Sequence, residues 1–343
     1  MGNLPPRISI ALCTFNGALY LPEQLASIAS QTTTPFELVV CDDGSTDATL
    51  EILKSFQARV PFPVHIHQNS TRLKSSQNFA KAIELCQGDI VALTDQDDVW
   101  RNDKLAVIDN VMSDSTIAMV FSNAVVVDSH LNRMGYRLWD SIYPLNGSIT
   151  KTCEAGQLFE MLILRNVVTG ATMAFRTEQR STFLPIPSGW IHDWWIALMI
   201  SATSNCKAID DDLIQYRQHS RQQIGAKRMT LWEILRQWYT GDLEPSNFPV
   251  MESMFQCAVE RMSAEPLKKN CSSHLCELLE KLAHNRVRNV IRNSFLWRIP
   301  LTFSELVKGR YHRYSFGAFS ISRDLVTLRL RNRLQRLVGL LRQ

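Results

Sequence analysis

Short continuous apolar runs alternate, over roughly the first 130 positions, with segments whose apolar residues return every three or four residues. Ile8–Cys13, Phe36–Cys41, Val64–His67, Ile90–Thr94 and Ile117–Val127 read as strands. Leu21–Ala29, a segment from an Asp47 cap to Phe56, Phe79–Cys86 and Lys104–Met112 read as helices. Strands without polar alternation belong to a sheet covered on both faces, and strands alternating with helices predict an α/β fold with a mostly parallel sheet. From Cys153 to His219 the pattern is mixed, with strands at Thr172–Phe175 and Cys206–Ile209 and a helix over Asp193–Ala202. After Ala226 it becomes helical, with amphipathic segments at 230–240, 250–263, 274–293 and 322–341. The expected division is therefore an α/β domain over 1–225 and a helical region over 226–343. No repeat or low-complexity tract is visible.

Composition is that of a globular protein, with 45% hydrophobic and 20% charged residues. No apolar run approaches the roughly 18–20 residues of a membrane-spanning helix. Met1–Pro6 lacks the basic-then-apolar pattern of a secretory signal, and the eight cysteines form no CxxC pair, so a cytoplasmic protein with reduced thiols is expected. Cys271, His274 and Cys276 offer too few ligands, poorly spaced, for a structural metal. The net charge of +4 is unevenly spread. From Arg286 onward twelve Arg and one Lys face only Glu305 and Asp324, an excess of +11. Arginines interleave with apolar residues beyond Leu325 in a basic amphipathic pattern. That pattern predicts peripheral association with an anionic membrane surface. Without aromatic platforms or a nucleic-acid module, nucleic acid is not an expected partner.

The candidate chemistry lies at the strand ends, where open parallel sheets bind ligands. These ends are Thr14-Phe15-Asn16-Gly17, Asp42–Asp47 and Asp95-Gln96-Asp97-Asp98, with His192-Asp193-Trp194-Trp195 opening a later helix. Three carboxylates within four residues repel one another unless a cation or strong donors sit among them. Such oxygens suit Mg²⁺ or Mn²⁺, which commonly bridge to substrate phosphates. Neither GxGxxG nor GxxxxGK[ST] is present, so the phosphates would be held by metal and side chains. His65 and His67 on a short strand predict a structural role, and Asp210–Asp212 predict a surface turn before a strand at Leu213.

The segments ISIALCTFNG, ELVVCDDGSTD, GDIVALTDQDDVW, TGATMAF, HDWWIAL and YRQHSRQQIGA span Ile8 to Ala226. In this order and spacing they resemble the family 2 glycosyltransferases of the GT-A fold, in the bacterial rhamnosyltransferase-like branch. The resemblance implies an inverting, metal-dependent enzyme. It would move a sugar from a nucleotide diphosphate sugar donor to a glycan or lipid-linked glycan acceptor in surface polysaccharide or lipopolysaccharide synthesis. It would work at the inner face of the cytoplasmic membrane, and the branch name implies rhamnose. Thr14 and Asn16 would border the nucleotide, and Asp43 would bond the base. Asp95 would approach the ribose and the metal, Asp97 would ligate Mn²⁺ or Mg²⁺ with His219 as a late contact, Gly170 and Ala171 would lie beside the donor sugar, and Asp193 would be the general base. The family usually carries Gly where Lys74 stands, and in many members Arg where Gln77 stands; Arg72 or Lys74 is then left for the diphosphate. A phosphatase using Asp95 as nucleophile would want that motif near the N-terminus and a later Lys. A non-catalytic sensor would not need both Asp97 and Asp193.

Overall fold

The computed structural model describes residues 7–142, 148–220, 222, 233 and 248–325. The chain divides into two compact units, Met1–Arg228 and Met229–Gln343. In the first, β1 (Ile8–Thr14), α1 (Leu21–Ala29), β2 (Glu37–Asp42), α2 (Thr49–Gln57), β3 (Val64–Gln68), α3 (Lys74–Leu85) and β4 (Ile90–Thr94) alternate. A two-residue β5 (Val99–Trp100), α4 (Lys104–Met112), β6 (Ile117–Val127), β7 (Arg133–Arg137) and three short helices, α5 (Leu138–Ile142), α6 (Ile149–Glu154) and α7 (Leu158–Leu162), follow. The unit closes with β8 (Met173–Arg176), α8 (Arg180–Phe183), α9 (His192–Ser201) and β9 (Asn205–Arg217).

The nine-stranded sheet has the order β3-β2-β1-β4-β8-β6-β9-β5, with β7 paired to β6. Every residue of β2 and β4 is buried, as the apolar runs Leu38–Cys41 and Ile90–Leu93 within them require. Strands β3, β2, β1 and β4 are mutually parallel, whereas β8 runs antiparallel between β4 and β6. That reversal positions the site. Ala92 pairs with Ala174, so the turn Gly170–Thr172 entering β8 lies at the edge where β4 runs into Asp95. Strand β9 runs parallel to β6 and delivers Arg217 to the same edge.

Asp210–Asp212 do not form the expected turn. They lie within β9, where the register slips from Ser122↔Ile209 to Asn123↔Asp212, so Asp210 and Asp211 bulge from the ladder. Arg137 lies 3.0 Å from Asp210 and 2.7 Å from Asp212, and Arg101 3.3 Å from Asp211; these arginines let the acidic triplet stay in a strand. His65 sits on the edge strand 3.4 Å from Glu37. Asp47 is one residue short of the helix N-cap, and its Oδ1 accepts from Thr49 N at 3.1 Å.

In the second unit the described helices are α10 (Phe248–Ser263), α11 (Leu267–Asn270), α12 (Ser272–Asn293), α13 (Arg298–Val307), α14 (Arg310–Tyr314) and α15 (Ala318–Leu325). Its interior holds an ionic cluster in which Asp324 accepts from Arg288 and Arg292, each at 2.6 Å, and from Tyr311 at 2.9 Å. The expected helix at 230–240, and all of the 322–341 segment beyond Leu325, lie outside the described residues. No described helix is long and apolar enough to cross a membrane. All eight cysteines are free; Cys271 is buried and Cys276 exposed.

Candidate active site

The ends of β1 and β2 are stapled together. Thr14 Oγ1 donates to Asp42 Oδ2 at 2.9 Å, and Asp42 Oδ1 also accepts from Gly44 N and Ser45 N, forming the turn after β2. Asn16, at φ 49°, accepts from Thr46 N at 2.9 Å and donates its own N–H to Ser45 Oγ at 2.9 Å. Asn tolerates this left-handed conformation better than most residues do. Thr14 is thus buried as a brace, while Asn16 stays exposed at the rim.

Asp43 is 4% exposed and accepts from three donors: Asn69 Nδ2 at 3.0 Å, Leu73 N at 2.6 Å and Lys74 N at 2.8 Å. It therefore organises the loop before α3, which holds the guanidinium of Arg72 3.8 Å above the Phe15 ring. Lys74 adopts φ 65°, a left-handed conformation that Gly adopts without strain. The glycine that the family resemblance implies at this position would take that conformation freely.

Beyond β4, the amide of Gln96 pairs with the backbone of Phe15, accepting from its N at 2.9 Å and donating to its O at 3.2 Å. A Cβ at Gly17 would meet Gln96 Oε1 at 2.2 Å, so the glycine makes room for this pairing. Asp97 Oδ2 lies 2.8 Å from His219 Nε2, whose ring packs 4.6 Å from that of Tyr20. Asp98 is buried, and its Oδ1 accepts from Arg217 N at 3.0 Å. Burial, then the charges of Asp97 and Asp95, push the Asp98 carboxyl well above the usual carboxylate range. Burial, followed by the charges of Asp97 and Asp193, raises Asp95 to about 7. Asp95 thus lies within electrostatic reach of both Asp97 and Asp193.

Asp193 stands in the first turn of α9 and is buried. Its Oδ1 accepts from Asn166 Nδ2 at 2.9 Å and Trp194 N at 2.6 Å, and its Oδ2 from Gly170 N at 3.0 Å. A Cβ at Gly170 would lie 2.7 Å from His192 Nε2, so glycine permits the close approach of the two segments. Gly170 and Ala171 are themselves buried, Gly170 engaged with Asp193 and Ala171 through its carbonyl with Lys104 Nζ at 2.8 Å. They support the site from behind. Trp194 and Trp195 spend their indole N–H groups on Leu162 O and Phe183 O, away from Asp193.

Three supports escaped sequence reasoning. Lys104 is fully buried, 3.8 Å from the Trp100 ring centroid; burial lowers its ammonium to about 7 against the opposing pull of Asp98 and Asp95. Arg217, 1% exposed, donates to Asp97 O and Ser129 O, each at 2.7 Å, and pairs with Glu23. Asn166 holds Asp193 from a loop. Of the three, only Arg217 carried a sequence hint, as part of the Tyr216–Ser220 segment YRQHS that leads into His219.

For a divalent cation, Asp97 and His219 present oxygen and nitrogen donors on adjacent atoms. Among the described residues no third His, Cys, Asp or Glu joins them in a cluster, Asp95 included. Two protein donors fit Mg²⁺ or Mn²⁺ that takes its remaining ligands from substrate phosphates and water.

A mostly parallel α/β sheet carrying an Asp-x-Asp sequence at one strand end and an acidic helix start beside it defines a GT-A type glycosyltransferase. Residues 9–178 match the sequence model of Glycosyl transferase family 2, and the chain is a glycosyltransferase of that family. It is similar to the dTDP-rhamnosyl transferase RfbG of Shigella flexneri, 25% identical over 248 residues that cover 66% of this chain and 80% of that protein. The abequosyltransferase RfbV of Salmonella typhimurium is 28% identical over 151 residues, 42% of this chain and 45% of the relative. Among solved structures, S. aureus TarS 1-349 in complex with UDP-GlcNAc superposes with a TM-score of 0.56 at 17% identity, covering 90% of this chain and 84% of TarS. That likeness bears on the fold.

Proposed function

We propose that the chain is an inverting enzyme that transfers a sugar, rhamnose by the resemblance to the Shigella enzyme, from a nucleotide diphosphate to an acceptor hydroxyl of a bacterial surface glycan. The acceptor glycan is free or carried on a lipid, and residues 1–225 do the chemistry. The observation that carries this reading is the convergence of Asp95 and Asp97, just beyond the end of β4, with Asp193, at the start of α9, onto one edge of the sheet.

The donor base and ribose lie against Thr14-Phe15-Asn16 and the loop anchored by Asp43, with Arg72 or Lys74 facing the diphosphate. Asp97 and His219 would hold Mn²⁺ or Mg²⁺. When bound, that ion supplies positive charge against the departing diphosphate. Asp193 accepts the proton of the acceptor hydroxyl as its oxygen attacks the anomeric carbon on the face opposite the leaving group. A carboxylate has about four lone-pair directions, and three donors leave Asp193 one for that hydroxyl. The same three donors fix its orientation, which serves attack along a single line.

The test is a panel of nucleotide sugars with Mn²⁺ or Mg²⁺, scored for nucleotide diphosphate and glycan product. Activity should vanish in EDTA and in Asp97→Ala, which removes several kcal/mol of leaving-group stabilisation. Full activity in EDTA would defeat the metal assignment, and a retained anomeric configuration would defeat the single-displacement mechanism.

A further inference from the structure

Helix α13 is folded inside out. Its buried positions are Arg298, Thr302 and Glu305, four and then three residues apart. Ile299, Phe303 and Val307, on a helical spacing of four, face outward, and Phe295, Leu296 and Trp297 project just before them; all six are 60–81% exposed. Of the inward residues, Glu305 is held by specific bonds. Glu305 Oε2 lies 2.7 Å from His284 Nδ1, and Glu305 Oε1 lies 3.1 Å from an Arg310 guanidinium nitrogen. Turning the helix to hide its apolar face would carry Glu305 out to solvent and leave the buried His284 without this partner, so the exposure is built into the packing.

A helix on a water-facing surface normally shows the opposite order. A contiguous exposed apolar ridge marks a docking surface. We propose that 295–307 is a bilayer-docking face, lying in the boundary between headgroups and acyl chains of an anionic membrane. Charge selects this occupant. The ridge sits within residues 286–325, where seven Arg and one Lys face only Glu305 and Asp324, an excess of +6, and Lys308 and Arg313 beside it, paired with Glu305 and Glu277, still keep more than half of their side chains in solvent. Trp297 and the phenylalanines are the residue types that favour the interfacial layer. The site is separate from the basic sequence beyond Leu325, and the inference stands independently of the sugar-transfer reading.

The full chain should float with phosphatidylethanolamine vesicles containing phosphatidylglycerol, and less with phosphatidylcholine vesicles. Trp297→Ser combined with Phe303→Ser should lower partitioning at least ~10-fold with an unchanged circular dichroism spectrum. Brominated lipid should quench a share of the tryptophan fluorescence that disappears in the conservative Trp297→Phe. Removing residues 326–343 should leave measurable binding. Three results would overturn the proposal: double-variant binding equal to wild type, loss of all binding on removing 326–343 alone, or a wild-type dimer that the double variant dissolves while vesicle binding is absent. The last would make the ridge a contact between copies of the chain.

Discussion

Asp193 and Asp43 show how a carboxylate can be structural and functional at once. From sequence alone, Asp193→Asn looks like a substitution that keeps size and most hydrogen bonding. In the structure the amide nitrogen must face an N–H, because Oδ1 takes two donors and Oδ2 takes Gly170 N. The substitution should therefore cost about 1–3 kcal/mol of stability as well as catalysis. Turnover should fall at least ~10²-fold while donor binding, read by calorimetry, survives. Turnover within a few-fold of wild type would reduce Asp193 to a brace between α9 and the turn before β8. Asp43→Ala strands three donors of the loop before α3. Both the donor KM and the thermal midpoint should respond, KM rising and the midpoint falling. Neither partner set was legible in the sequence, since Asn166 and Asn69 lie 27 and 26 residues from the acids they hold and belong to loops with no pattern.

The elements were legible where a strand is buried on both sides. Strands β1, β2, β4 and β6 read directly from their apolar runs, and α9 from an apolar stretch behind an acidic start. β5 is too short to show a pattern, and β7 is the polar Arg-Met-Gly-Tyr-Arg. The middle of β9 was hidden because three consecutive aspartates signal a turn unless partners such as Arg137 and Arg101 are known to face them. Helix α13 escaped because periodicity reveals an apolar stripe without saying on which side water lies. The loop before α3 gives a test at this scale. Lys74→Gly relieves a left-handed lysine and should hold or raise stability, within ~1 kcal/mol. If the ammonium meets the diphosphate, the same substitution raises the donor KM several-fold; an unchanged KM assigns that contact to Arg72.

Within the whole molecule, the helical unit carries an acid response. In the helical unit His284 is fully buried against Glu305, and burial, its largest influence, lowers the imidazole to about 4. An unfolded histidine takes its proton near pH 6.5. Between those values the unfolded chain binds more protons, so stability is full above about 7 and is lost as pH falls from about 6.5 to 4, by about 3 kcal/mol at most. Urea midpoints measured across that window should decline, and His284→Gln should flatten the decline; an unchanged slope would mean that other groups carry it. The sheet of the first unit has a consequence of another kind. The family match ends at residue 178, just past β8, whereas β9 covers the flank of β6 and pairs with β5. A chain cut there would lose Asp193 and His219. It would also leave β6, an eleven-residue and almost wholly buried strand, as an open sheet edge that templates aggregation. Because β9 must find partners about 90 residues away, its docking is a late, non-local step of folding. The smallest piece of this unit that stays monomeric in solution should therefore extend through Arg217, 39 residues past the end of the family match.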